Sequence, residues 1–300
     1  MNIKTFLTIP FLALLLITPA CGKKDNEPLA TVDESLSTNV EEETEIQEEI
    51  LQETASGPCN NILFPLTDGN EWVYEVKTVD ENGSSSTVEY AWSVSEQQPN
   101  SVTLGTLFYD SGTVVSADIE CVDGAVENFP LTVSNIVIGD MEGAITYTHV
   151  SGKYLPSQKE LEAGNWENSW QTVVNSSGTI TAAYEGETMT IILENSPITM
   201  NWQIQERDTS VTVPAGSFDN AVRISQELIY EINSLTVNIS GTPMEISTKM
   251  TFDSDYWFVP NLGLVKTEIR SANMELFGSQ FPVDMTGGSV LKSSNLLDSE

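Results

Sequence analysis

The stretch Ile198–Gln205 reads Ile-Thr-Met-Asn-Trp-Gln-Ile-Gln, so that apolar and polar side chains alternate without a break. The same period of two recurs in Thr87–Ser95, Val222–Ile232, Leu235–Ile239 and Met244–Phe252. Alternation of this kind is typical of antiparallel strands that are wet on one face, whereas parallel strands read as solid apolar runs. The pattern therefore predicts an all-β domain built from antiparallel sheet.

Turn signals separate the alternating stretches and favour hairpin connections. They are Asp80–Gly83, Asp110–Gly112, Ser176–Gly178, Glu185–Gly186 and Gly241–Pro243. Residues 157–164 alone resemble a helical turn, which Gly164 limits. We expect roughly 13 to 16 strands, since one-sided strands must curl around a core or face a second sheet. A large curved sheet resembling half a barrel is the first expectation, and a β-sandwich is the alternative.

The N-terminus carries a different pattern. Lys4 precedes the apolar run Phe6–Ile17, and Thr18–Gly22 follows with the sequence Thr-Pro-Ala-Cys-Gly. A basic start, a short apolar run and a small residue before the cut are typical of a bacterial secretory signal. We expect residues 1–20 to be a lipoprotein signal peptide and Cys21 to receive the lipid. The alternative is a protein that is cut and released, with Cys21 incidental.

The lipid on Cys21 would determine where the protein resides. The apolar run of about 12 residues is shorter than the roughly 20 that a spanning helix needs. Two acyl anchors together give stable attachment, so we expect an extracytoplasmic protein anchored to the cell membrane or to an outer membrane. Residues 21–56 are rich in acids and poor in aromatics, which predicts a disordered, self-repelling tether. Residues 57–300 then form the β-domain.

The formal net charge is −32, from 44 acidic and 12 basic residues. Such an excess argues against binding nucleic acid, whose phosphates require a basic surface. It also argues against contact between the folded body and an anionic bilayer face. Cation binding and halophilic solvation are alternatives, but plain solubility explains the charge without a ligand.

Two cysteines remain once Cys21 carries lipid. Cys59 and Cys121 form an even pair, and exported thiols are usually oxidised. A disulfide between them would close a loop of about 60 residues, worth on the order of 4 kcal/mol in the chain-entropy model. Two buried reduced thiols are the alternative.

The sequence contains no pattern that carries catalysis. His149 is the single histidine and no Gly-x-Ser-x-Gly elbow accompanies it, whereas triad chemistry needs a base beside a nucleophile. One histidine and two thiols argue against a zinc site. The segment from Asp80 begins like a calcium-binding loop, but its glycine comes two places too early for that pattern. Carboxylates are abundant, but a glycosidase pair requires burial that a sequence does not show. We expect no catalytic residues, no metal and no cofactor.

The six tryptophans are the remaining candidates for a binding site. Aromatic side chains on a curved sheet stack on sugars or line an apolar groove, although most of the six share parity with aliphatic residues and fit a core. Trp166, Trp170 and Trp257 are the candidates for a ligand groove.

Two of the tryptophans lie in segments that suggest an internal repeat. Phe64–Trp72 and Leu155–Trp166 both place a proline-led entry and a Gly-Asn pair before a tryptophan. This suggests two related halves, 57–152 and 153–300, although coincidence between common strand starts explains it equally.

Two further segments carry a family resemblance. Val211–Phe218 contains the sequence Val-Pro-Ala-Gly-Ser-Phe, and Tyr256–Lys266 has aromatic residues, then proline, glycine, valine and lysine. With Phe64–Trp72, the set resembles a poorly characterised group of exported bacterial β-domain proteins that includes the TapB-like proteins. The resemblance implies a curved sheet distantly similar to lipoprotein-carrier half-barrels, and it carries over no catalytic residues.

These features lead to one functional expectation with one alternative. We expect a membrane-anchored, non-catalytic lipoprotein that binds an apolar or envelope-derived ligand in the concavity of the sheet. The alternative is a structural or assembly component of the cell envelope that recruits a protein partner by edge-strand addition.

Overall fold

The computed structural model describes residues 59–79, 85–128, 133–138, 141–184, 187–239, 242–276, 278–283 and 287–297. The predicted signal peptide, Cys21 and the tether lie outside these residues, as do the turns expected at Asp80–Gly83 and Glu185–Gly186. Those expectations stay predictions.

Sixteen strands and one short helix make up the described ranges. In chain order they are β1 (Asn60–Asn61), β2 (Phe64–Pro65), β3 (Glu71–Val79), β4 (Ser85–Gln98), β5 (Ser101–Phe108), β6 (Thr113–Val122), β7 (Ala125–Val126), β8 (Val133–Ile138), β9 (Met141–Gly152), α1 (Gln158–Ala163), β10 (Ser169–Tyr184), β11 (Glu187–Val213), β12 (Gly216–Ile239), β13 (Thr242–Val259), β14 (Gly263–Leu276), β15 (Ser279–Pro282) and β16 (Ser289–Ser294).

Fourteen of these strands form one sheet, and β1 pairs with β2 apart from it. The order across the large sheet is β7-β6-β5-β4-β3-β16-β14-β13-β12-β11-β10-β9-β8, with β15 beside β14. Strands β3 to β7 form one meander and β8 to β14 form a second. The C-terminal strand β16 lies between the two meanders, antiparallel to β3 and β14. The predicted large antiparallel sheet is confirmed, in preference to a sandwich.

The chain passes from the first meander to the second between Val126 and Val133. This crossing precedes the boundary near residue 152 that we expected for two related halves. The internal repeat itself stays a prediction.

The sheet is curved, so that β7, at one end of the strand order, contacts the segment that follows β9. Val126 of β7 donates its N–H to the carbonyl oxygen of Leu155 at 2.9 Å, and Tyr154 donates to the carbonyl of Val126 at 2.8 Å. Because β9 is one strand from the opposite end of the order, these bonds draw both ends of the sheet around a shared core.

A buried asparagine fixes this junction. Asn61 is fully buried, and its amide nitrogen donates to the carbonyls of Gly124 and Pro156, each at 2.8 Å. Its amide oxygen accepts from the N–H groups of Leu63 and Phe64. One side chain thus joins three separate segments with its hydrogen-bonding groups satisfied, as a buried amide requires.

The disulfide lies beside the same junction. Cys59 and Cys121 are bonded, with their Cα atoms 5.2 Å apart and a sequence separation of 62. Both side chains are buried. The predicted pairing is therefore present, and it ties the start of the described domain to the end of β6.

One expected hairpin is wrong. Ser176–Gly178 lies inside β10, where the pairing register with β11 shifts between Ser176 and Gly178. A Cβ atom at Gly178 would lie 2.1 Å from the carbonyl oxygen of Ala144 on β9. The glycine therefore permits close approach of two backbones within a strand, which is the other common reason for glycine in β-sheet.

At the turn expected for Gly241–Pro243, Gly241 lies outside the described residues, while Thr242 and Pro243 belong to β13 and pair with Ile239 and Asn238. The two quoted motifs and the helical turn agree with the structure. In the Val-Pro-Ala-Gly motif, Val213 pairs with Gly216, so Pro214 and Ala215 form a two-residue turn. At the second motif, Val259 pairs with Gly263, whose φ of +111° favours glycine. Helix α1 confirms the helical turn, because Ser157 caps it in a reciprocal capping box with Glu160.

No helix in the described ranges has the length and apolar character needed to cross a membrane.

Candidate functional site

Aromatic side chains fill the inner face of the sheet, which is the face that the buried residues share. Tyr74 and Tyr90 stack with ring centroids 5.1 Å apart, and Trp92 meets Tyr74 edge-on at the same distance. Trp202 packs against Tyr154 and Tyr256, each at 5.2 Å. These rings are wholly or largely buried, so the region where we expected an apolar ligand holds the protein's own side chains.

The tyrosines of this core are neutral and anchored. Burial raises the pKa of Tyr90 to about 12 and holds the pKa values of Tyr74, Tyr154 and Tyr256 above their ordinary value. The hydroxyl of Tyr74 donates to the carbonyl of Leu264 across the centre of the sheet. A buried phenol with a raised pKa acts here as a structural hydrogen-bond donor.

The three candidate tryptophans lie in different surroundings. Trp166 packs partly buried against the core, with the guanidinium of Arg207 4.7 Å from its ring centroid. The Trp257 ring contacts the Nζ of Lys266 at 4.4 Å. Trp170 stacks on Trp202 with planes 10° apart and donates its indole N–H to the carbonyl of Tyr154.

Trp170 borders a groove on the opposite side of the sheet, which we call the outer groove. It has a volume of about 530 Å³ and crosses five strands from β10 to β14, within the size range of small-ligand sites. Trp170, Trp202 and Gln226 belong to the inner face, so they contribute to its floor. Its polar walls are formed by Gln171, Asn201, Gln203, Ser225, Glu227 and Asp253, with Arg270 on the last strand.

A row of polar residues crosses this groove, and hydrogen bonds join it in two parts, from β10 to β12 and from β13 to β14. Gln171 donates to the amide oxygen of Asn201 at 2.9 Å, and Asn201 donates to a carboxylate oxygen of Glu227 at 2.9 Å. The row continues with Asp253, which accepts from the hydroxyl of Ser271 at 2.6 Å. The five strands β10 to β14 hold these residues in direct register. Each amide and carboxylate keeps acceptor sites that these bonds do not use.

Arg270 enters the groove because β14 contains a bulge. Asp253 pairs with Ser271 while Ser254 pairs with Ile269, which leaves Arg270 as the extra residue. Bulges of this kind re-aim a side chain, and they are common beside functional sites. Ile269 and Ala272 are buried while Arg270 is exposed, so the bulge turns Arg270 to the outer face.

A buried carboxylate holds Arg270 in place. Asp255 has 7% side-chain exposure, and its Oδ1 lies 3.3 Å from Nε of Arg270. Its Oδ2 lies 3.5 Å from Nη1 of Arg223, whose Nη2 lies 3.3 Å from Glu206. Arg223 thus uses both ends of its guanidinium on protein acids. Arg270 makes its ion pair through Nε, and within the described residues its terminal nitrogens carry no hydrogen bond.

His149 and the acidic residues form no metal site in the part of the chain that the structure describes. No group of three or more His, Cys, Asp or Glu side chains there is arranged to hold an ion. Nε2 of His149 lies 3.2 Å from the carbonyl oxygen of Gly152.

The sequence reasoning did not predict the outer groove, and the assignment of Trp166, Trp170 and Trp257 to a ligand groove stays a prediction. Polar residues at alternate places in a strand indicate a solvated face, and nothing in one strand shows which partners stand beside it. Residues that share one face of a regular strand are an even number of positions apart, but Ile269 and Ala272 are three apart. This odd spacing was the one available signal of the bulge.

Comparisons with known proteins show a remote likeness. No protein-family model matches the chain, and no curated protein matches it. A Bacteroides fragilis protein, described as exported and of YmcC-like fold, is 12% identical with a TM-score of 0.38; the match covers 78% of this chain and 99% of that one. A protein from Parabacteroides distasonis, described as a lipoprotein, is 17% identical with a TM-score of 0.37, over 78% and 98%.

Such low identities and TM-scores transfer neither a site nor a ligand to this chain. The resemblance to TapB-like proteins and its two motifs are not confirmed.

Proposed function

We propose that the chain is an extracytoplasmic, lipid-anchored binding protein without catalysis, and that the outer groove is its binding site. Residues 1–22 support export and the anchor, as described above. The observation that carries the site is the row of amides and carboxylates that the four adjacent strands β10 to β13 present in one groove.

The groove chemistry favours a ligand rich in hydroxyl groups. A hydroxyl both donates and accepts, and amides and carboxylates with spare acceptor sites satisfy it in either role. Because sheet pairing fixes the row before a ligand arrives, little ordering entropy is lost on binding. We therefore assign the ligand to the oligosaccharides of the cell envelope. This differs from the apolar ligand that the sequence led us to expect, since the inner face is packed.

Binding to an array of envelope-type oligosaccharides tests the proposal. We expect the purified domain to bind at least one, and Asn201→Ala to weaken that binding about tenfold or more, because Asn201 bonds to both of its neighbours in the row. Ser210→Ala is the matched control, since Ser210 lies on the same strand and bonds to Asp219 away from the groove. Equal losses in both variants, or no binding to any oligosaccharide, would contradict the site.

The anchor has its own test. Labelled palmitate should enter the wild-type protein and not Cys21→Ala, since the thiol of Cys21 is the expected attachment point. Label in both proteins, or in neither, would refute lipidation at this residue.

Strand addition remains a second candidate because of β8. In the described sheet β8 pairs with β9 alone, and its sequence, Val-Ser-Asn-Ile-Val-Ile, contains no charge. Uncharged edge strands are templates for pairing with another chain. A photoreactive residue at Asn135 should then crosslink one envelope protein that the same residue at Ser93, on the interior strand β4, does not. Equal crosslinking at both positions would argue against strand addition.

A further inference from the structure

We infer that the ligand of the outer groove carries a single carboxylate, which Arg270 binds, so that the oligosaccharide is an acidic one containing a uronic-type sugar. This inference rests on the proposed function, because it names the ligand class of the same groove. The inference depends on the position of the exposed Arg270 guanidinium, which lies at the end of the row of polar side chains proposed to bind hydroxyl groups.

The guanidinium of Arg270 is oriented for such a ligand. The bulge in β14 turns the side chain to the outer face, and Asp255 fixes it through Nε. The pairing leaves the terminal N–H groups to the groove, where Arg270 is the one cationic residue of the lining. Guanidinium groups bind carboxylates through two parallel hydrogen bonds, which gives geometric selectivity as well as affinity.

Two other basic residues nearby, Arg223 and Lys266, already contact side chains of the protein. Arg223 is engaged by Glu206 and Asp255. Lys266 lies 2.8 Å from Glu268 and covers the Trp257 ring. Among the described residues that line the groove, Arg270 is therefore the cation that can reach a ligand there.

The neighbouring acids limit the ligand to one negative charge at this point. Glu227 and Asp253 line the same groove, and Asp255 lies directly behind Arg270. A sulfated or phosphorylated chain would bring several negative charges against these carboxylates, and like charges at short range repel. A sugar with one carboxylate satisfies Arg270, while its hydroxyl groups donate to Glu227 and Asp253.

The test compares matched oligosaccharides by calorimetry with the purified protein. The probes are a neutral glucose oligomer, an oligomer of the same length in which one glucose is replaced by glucuronic acid, and the methyl ester of that acid. We expect the acid to bind about tenfold tighter than the neutral oligomer and its ester. Arg270→Gln should remove this preference, so that the variant binds the acid, the neutral oligomer and the ester with equal affinity.

Two further variants distinguish the effect of the Arg270 side chain on binding from a general effect on charge or folding. Arg270→Lys keeps the charge without the fork and should retain a smaller preference for the acid. Arg207→Gln removes a cation that lies over Trp166, outside the groove lining, and should leave the preference intact. Thermal melting identifies any variant that fails to fold.

The outcomes distinguish the two proposals. Equal affinities for acid and neutral oligomers in the wild type, or an unchanged preference in Arg270→Gln, overturn the carboxylate inference and leave the oligosaccharide site standing. No binding of any oligomer overturns both. Binding of an acetylated dipeptide through its free carboxylate, without binding of the sugar acid, would instead assign Arg270 to a peptide and refute the inference.

Discussion

Removal of the disulfide should cost the domain about 4 kcal/mol of unfolding free energy. The perturbation is the double variant Cys59→Ala with Cys121→Ala. The sequence separation is 62 residues, and the chain-entropy relation for a loop of that length gives about 4 kcal/mol at 25 °C. For a domain of this size, such a loss lowers the melting temperature by roughly 8 to 16 °C.

Thermal and urea unfolding of the wild type and the double variant measure this loss. Both sulfur atoms are buried beside the Asn61 junction, so reductant should act on the wild type only after partial unfolding. Reductant should have no effect on the double variant, which serves as the internal control. Equal melting temperatures for the two proteins under oxidising conditions would refute the reasoning, because the loop constraint would then contribute nothing.

Three other predictions concern the fold. Asn61→Asp has nearly the same shape but loses the amide donors to Gly124 and Pro156, so we expect a loss of about 3 kcal/mol or more in urea unfolding; a loss below about 1 kcal/mol would contradict this role. Alkaline stability should fall above pH 10, because Tyr90 ionises near pH 10 when unfolded and near pH 12 when folded. Its contribution of about 3 kcal/mol is complete below pH 10 and is lost as the pH approaches 12. Unfolding titrations should show this slope reduced in Tyr90→Phe, and an identical slope in both proteins would count against it. Gly288→Ala would place a Cβ atom 1.9 Å from the carbonyl of Thr267, so β16 should separate from β14; unchanged protection of their amides in hydrogen exchange would show otherwise.

Much of the fold could be predicted because side-chain alternation is a local property. Ile198–Gln205 alternates in sequence and in burial, and the turns at Pro214 and Asp110–Gly112 are in place. The change of parity between Ile232 and Leu235 could not be assigned, because it fits two strands as well as one. The structure places both residues in β12, with a register shift between them.

The candidate site was less accessible to sequence reasoning. Trp170 borders the outer groove, while Trp166 and Trp257 each lie beneath a cation. The hydrogen bond from Gln171 to Asn201 joins residues 30 positions apart. Its existence depends on strand order and register, which no single strand encodes.

The amino-acid sequence alone predicted the class of fold and the cysteine pair, which the structure shows, because the first depends on local alternation and the second on the number of cysteines. The lipid anchor stays a prediction from the sequence. Tertiary structure decided that β16 joins the two meanders, that aromatic rings fill the inner face, and that Arg270 reaches a groove on the outer face. These depend on contacts between segments far apart in the chain. Alternation indicates only that a strand has two unlike faces, and the pairing of strands determines what each face meets.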